Sequence, residues 1–151
     1  TISGLSHLAG KTVSILGDGA VIASKVVSSA GTITLPYTAS VVHAGLPYTA
    51  TMATMPIVMT DGSGTVMGKR KRISSARIKF YATHGCEVSA DGTTYDTVNF
   101  PLESNEVTLF TGDKDVSFPG GFGLYGKMYL RQALPLPCTV LSLMPDIIIE
   151  R

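Results

Sequence analysis

Six of the twelve basic residues fall within eleven positions: Lys69, Arg70, Lys71 and Arg72 in an unbroken run, then Arg77 and Lys79. Such a cluster can contact phosphates, because those contacts need positive charge and tolerate any sequence. On an extended strand, successive side chains point to opposite faces, which separates Lys69 and Lys71 from Arg70 and Arg72. The passive alternative is a solvated strand end whose charges keep a sheet edge from pairing. No aromatic residue interleaves the run, as a stacking platform for single-stranded bases would require.

Other reactive groups are sparse. His84-Gly85-Cys86 brings two potential metal ligands together, but the remaining pool of His7, His43 and Cys138 is distant in sequence. A zinc site needs four ligands, so the expectation is a turn and a packed thiol, with no metal. There is no Gly-x-Ser-x-Gly elbow, and neither Gly62-Ser63-Gly64 nor Gly120-Gly121-Phe122-Gly123 carries the ending of a phosphate-binding loop. Carboxylate pairs can form in space without any sequence signature. The pool, however, is four Glu and seven Asp, and Asp18, Asp61, Asp91 and Asp113 each adjoin a glycine, which marks them as turn formers. These readings imply no enzyme and no cofactor. Cys86 and Cys138 could pair, since the sequence does not fix their separation, but they are too few for a disulfide scaffold, and two reduced core thiols are expected.

The elements that must position these groups are strands. Thr, Val and Ile number 17, 13 and 10, against four Glu and one Gln, a balance that excludes a helix bundle. Residues 12–16 alternate, with Val13 and Ile15 on one face, and run into the tight-turn signal Asp18-Gly19. Strands follow at 20–23 and 40–43, and residues 26–27 and 32–35 should form a hairpin around a turn at 28–31 with Ile33 and Leu35 facing in. This predicts a small β-barrel-like module over residues 1–46.

Residues 47–151 read as an antiparallel β-sandwich of about seven strands with a turn every 8–12 residues. Pro56 confines the segment 48–60 to an edge or bulge, and 61–64 is a turn. The longest strand is expected over 69–82, with Ala76, Ile78, Phe80 and Ala82 facing the core and Arg77 and Lys79 facing away. Shorter strands are expected at 96–100 and 107–110, turns at 91–92, 111–114 and 118–123, and a final pair at 124–133 and 139–144 joined across Pro135 and Pro137. The fold class is therefore all-β.

Only 15% of residues are charged, the net charge is +1, and mean hydropathy is +0.28. Disorder is excluded, and no global field steers the chain onto nucleic acid or membrane. No apolar run reaches about 18 residues, so no membrane span is expected. A surface this poor in charge is expected of a chain partly covered in an assembly. The first residue is Thr1, and there is no basic, apolar leader, as expected of a piece cut from a longer chain.

Residues 4–21, from Gly4-Leu5-Ser6-His7-Leu8 through Gly17-Asp18-Gly19-Ala20-Val21, resemble a signature of the short-tailed phage tail proteins. These are the nozzle or tubular proteins at the end of the tail, with related packaged-DNA stabilisation proteins. Five further segments are similar in the same order: 40–49 (around His43-Ala44-Gly45-Leu46-Pro47-Tyr48), 68–73 (Gly68-Lys69-Arg70-Lys71-Arg72-Ile73), 109–113, 119–121 and Met144-Pro145. Ala9 and Gly17 depart from the residues usual in that family. The resemblance covers nearly the whole chain. It implies the C-terminal part of a structural virion protein that assembles with copies of itself and other tail proteins into a ring, made in the bacterial host cytoplasm and located in the virion. Such a ring retains the packaged DNA and later conducts it, with at most weak nonspecific contact. Lys69, Arg70, Lys71, Arg72, Arg77 and Lys79 would face the lumen, a neighbouring subunit or solvent. The contrasting reading is a non-catalytic sandwich that recognises carbohydrate or a host surface, for which a concave aromatic cluster is required.

Overall fold

The computed structural model describes residues 1–61, 64–65, 67–100 and 108–150. Within them the chain is all-β, and its one helical element is a single 3-10 turn at Ser6–Leu8. Strands β1 (Thr12–Gly17) and β2 (Ala20–Val26) pair antiparallel across Asp18-Gly19, both of which have positive φ, 47° and 83°. Two successive positive φ values define the turn whose twist matches that of the flanking strands. The carboxylate of Asp18 also accepts the backbone N–H groups of Ser40 (3.0 Å) and Val41 (2.7 Å). That grip delivers β3 (Val42–Gly45) to the other side of β1, giving the order β2-β1-β3.

Val13, Ile15, Ile22, Val27 and Ile33 form one buried cluster, flanked by Ile2, Leu5, Leu8, Leu35, Val42 and Ala44. The turn expected at residues 28–31 is present, but the ladder between 26–27 and 32–35 is not. Val27 spends its backbone groups on Lys11 and Gly10, ahead of β1, and Ile33 bridges Ile2 instead.

After β3 come β4 (Ala50–Ala53), the two-residue strands β5 (Thr60–Asp61) and β6 (Gly64–Thr65), β7 (Lys71–Thr83), β8 (Glu87–Ser89), β9 (Asp96–Thr97), β10 (Phe110–Ser117), β11 (Tyr129–Gln132) and β12 (Val140–Ile149). β5 and β6 pair with each other, and the middle of the turn expected at 61–64 lies outside the described residues. The rest form two sheets, ordered β10-β7-β12 and β4-β11-β8-β9, with every pairing antiparallel. Between them lies a single core of Ile73, Ala76, Ile78 and Phe80 from β7, Val88 from β8 and Leu130 from β11, with Cys86, Val98, Phe118 and Met128. This is a sandwich of a three-stranded and a four-stranded layer.

The long strand does not keep one phase. Ala76, Ile78 and Phe80 face in as expected, but so do Lys71 and Ile73 at odd positions. The register opposite β12 slips between Ile73 and Ser75, so Ser74 is an extra residue. A second slip opposite β10 surrounds Ala82, whose φ is 44°; it is half-buried, and Thr83 takes the next inward place. One inserted residue flips every later side chain, which is how a single strand can serve the core from both parities.

Three expectations are corrected. Residues 111–114 are not a turn; they belong to β10, whose inner face reads Phe110, Gly112, Lys114, Val116. Gly112 sits beneath the Phe110 ring, where a Cβ would lie 3.3 Å from it, and the Lys114 ammonium lies 5.9 Å from the Phe100 and Phe110 ring centres. A glycine and a lysine hide the apolar alternation. β12 does not stop at residue 144 but continues through Pro145 to Ile149, which an outer strand tolerates. The final two strands lie in different sheets, so the segment across Pro135 and Pro137 is a crossover between layers. Val107, expected in a strand, lies outside the described residues.

Phe80 is fully enclosed and meets Phe100 edge to face, with ring centres 5.2 Å apart. Phe80→Ala is expected to cost about 3–5 kcal/mol by urea denaturation. A loss below about 1 kcal/mol would contradict the placement of this ring between the layers.

Candidate functional site

The six basic residues of the sequence cluster do not share one surface. Lys71 turns inward at 2% exposure and donates from Nζ to the carbonyl of Ile57 at 3.0 Å. Gly126 makes room for it: a Cβ there would come within 2.9 Å of the Lys71 stem, and its φ of 51° favours glycine. Lys69, Arg70 and Arg72 are exposed. Arg70 donates to the Phe122 carbonyl (3.0 Å) and pairs with Glu150 (3.4 Å), while the Arg72 guanidinium lies 5.4 Å from the centre of the Phe122 ring.

Arg77 and Lys79 lie farther along β7, on its outward face. The register sets Asp115 directly across from Arg77 and Asp113 across from Lys79. Arg77 makes two bonds of 2.8 Å to the Asp115 carboxylate, and Lys79 approaches Asp113 at 3.6 Å. The mutual hydrogen bond raises the Arg77 pKa and lowers that of Asp115. Both pairs are well exposed, so neither contributes much to stability. Their larger effect is electrostatic: with Arg70 beside Glu150, at least three of the six cations are matched by carboxylates. Nor do the charges of the run guard an edge. β7 is the middle strand of its sheet, with β12 on one side and β10 and Gly123 on the other.

Two carboxylates, those of Asp91 and Asp18, hold backbone. Asp91 accepts the N–H groups of Thr93 (2.8 Å) and Thr94 (2.9 Å) and the Ser89 hydroxyl (2.8 Å), which hold it far below the usual carboxylate range. Asp18 is lowered likewise by Val41 and Ser40. Asp113, expected in a turn, is a strand residue facing Lys79. Sequence reasoning missed one further group. Glu87 accepts from Arg131 Nε at 2.6 Å, and that guanidinium lies 3.8 Å from the centre of the Tyr95 ring. Adjacent strands of the four-stranded sheet bring Glu87 and Arg131 together, and nothing in their spacing announces it.

His84 Nδ1 bonds the Thr108 carbonyl at 3.1 Å, whereas His7 lies on the 3-10 turn and His43 on β3. Cys86 is buried beside Cys138. Among the described residues no three His, Cys, Asp or Glu side chains gather as a metal site would require, and no helix is long and apolar enough to cross a membrane.

Two hollows remain. A cleft of about 630 Å³ lies between the β3 exit, with His43, Leu46 and Tyr48, and the crossover after β11, with Gln132, Leu134 and Leu136. A smaller one of about 210 Å³ adjoins Arg72 and is lined by Asp91, Tyr125, Lys127 and Tyr129. No protein-family model matches the chain, and a search of curated proteins finds no match.

The lowered Asp91 pKa has a defined consequence for acid stability. The folded carboxyl protonates at lower pH than the unfolded one, so its contribution is present above about pH 4 and is lost as pH falls. Urea midpoints measured from about pH 5 to about pH 2 are expected to fall less steeply for Asp91→Asn than for the unsubstituted chain. Parallel curves would remove Asp91 from this role.

Proposed function

We propose that the chain is a structural component of a phage tail nozzle or tube, built to assemble with further copies around passing DNA. The observation that carries this reading is the character of the surface. Along the outer strand β4 and the chain around it, Tyr48, Met52, Met55 and Val58 are exposed, Tyr48 and Met55 by 82% each. Apolar side chains on and beside an outer strand invite coverage by a partner. The exposed cations Arg77 and Lys79, by contrast, are offset by Asp115 and Asp113. A channel wall that must release DNA benefits from that balance, since each unmatched cation adds a phosphate contact.

The segments similar to the phage tail proteins perform structural work in this fold. Asp18-Gly19 turns β1 into β2 and anchors β3, while Lys71 closes one end of the sandwich. Gly120 lies so close to Ala90 that a Cβ would come within 2.4 Å of the Ala90 methyl. These are the constraints of a rigid scaffold. The smaller hollow, with Tyr125 and Tyr129, favours the second reading of carbohydrate recognition, and a glycan that binds there and is lost in Tyr125→Ala would support it.

Self-association is expected in sedimentation velocity as concentration rises, and Met52→Asp with Met55→Asp is expected to abolish it. A chain that remains monomeric at high concentration would count against the tail reading. Duplex DNA binding, followed by fluorescence anisotropy, is expected to be weak and salt-sensitive. Replacing Arg72 by Ala should weaken it and flatten its salt dependence. Removing the Arg77–Asp115 pair together should leave it unchanged, and equal losses from the two variants would contradict the charge-matching argument.

A further inference from the structure

Cys86 and Cys138 stand against each other where the two layers of the sandwich meet. Cys86 immediately precedes β8 of the four-stranded sheet, and Cys138 lies two residues before β12 of the three-stranded sheet. Both thiols are free, Cys86 at 2% exposure and Cys138 half-buried. The backbones that carry them are fastened together on the side toward β7. His84 N–H donates to the Pro137 carbonyl (3.0 Å), and Thr139 N–H donates to Thr83 Oγ1 (2.9 Å), which in turn donates to the Thr139 carbonyl (3.1 Å). Gly85 permits this approach, because a Cβ there would come within 3.1 Å of Leu136 Cβ. Gln132 Nε2 holds the Leu136 carbonyl at 2.7 Å from the other side.

We propose that Cys86 and Cys138 form a reversible redox staple, closing into an intramolecular disulfide between the two sheets when the chain meets a small-molecule disulfide. The accessible thiol reacts first. The Cys138 thiolate attacks one sulfur of the reagent, breaks its S–S bond and releases one thiolate, which takes a proton from water. Cys86 then loses its proton, attacks the Cys138 sulfur and expels the second reagent thiol. The protein gives up two hydrogens and two electrons, and one reagent disulfide becomes two thiols. The order of attack follows from the contact between the sulfurs. Cys86 Sγ donates toward the Glu87 carbonyl (3.7 Å); its contact with Cys138, together with burial, raises the Cys86 pKa, whereas the same contact lowers that of Cys138, so thiolate forms at the less buried member. Closure would tie together positions 86 and 138, and a cross-link across so long a stretch chiefly restricts the unfolded chain. The chemistry belongs to the single chain and holds whatever assembly that chain enters.

The test is intact mass and thermal unfolding of the folded protein after incubation with oxidised glutathione. The expected product has lost two hydrogens, carries no glutathione and melts higher by on the order of 10 °C, with full reversal by a reducing agent. Cys86→Ser, lacking the resolving thiol, should instead keep glutathione on Cys138. A wild-type chain that retains the glutathione adduct, forms a covalent dimer or leaves both thiols free would overturn the proposal, and that readout requires no variant to fold.

Discussion

The sandwich depends on burying one face of β7. Ile73, Ala76, Ile78 and Phe80 from this strand meet Val88 and Leu130 of the opposite sheet, and both neighbours of β7 take their register from it. Burial of this kind contributes roughly 1.5–3 kcal/mol for each large side chain, far more than any surface ion pair on the same strand. The two slips in register, at Ser74 and Ala82, let the strand feed the core along its whole length despite the twist between layers. Lys71 is the polar cost of that arrangement, met by the Ile57 carbonyl.

The same alternation arranges the outer surface. If Ile78 faces in, Arg77 and Lys79 must face out, and antiparallel pairing with β10 places Asp115 and Asp113 across from them. Core packing thus determines which cations are neutralised. It also divides the basic run at its start, sending Lys71 inward while Arg70 and Arg72 reach toward Phe122. A cluster that looks continuous in sequence becomes three separate environments on the folded chain.

What could be read from the sequence was local. Val13 and Ile15 alternate within a few residues, and Asp18-Gly19 encodes its own turn, so the first hairpin was legible. The all-β class and the inward stripe from Ala76 to Phe80 were legible for the same reason. β10 was hidden because Gly112 and Lys114 occupy inward places, justified only by the aromatic rings over them. Ser74 as an inserted residue leaves no trace in composition. The site-level pairs were the least legible: Arg77 with Asp115 are 38 positions apart and Arg131 with Glu87 are 44, and only strand register joins them. Cys86 and Cys138 belong to the same class, since their contact depends on a crossover between layers.

On the proposed reading, the apolar side chains on and beside an outer strand and the cations matched by carboxylates belong to a chain whose role is completed by neighbours. Electron microscopy of the purified chain at high concentration addresses this most directly. The account expects closed rings of uniform copy number around an axial channel wide enough for duplex DNA, with β4 at the contact between copies. Dispersed monomers, or open aggregates without a channel, would contradict it.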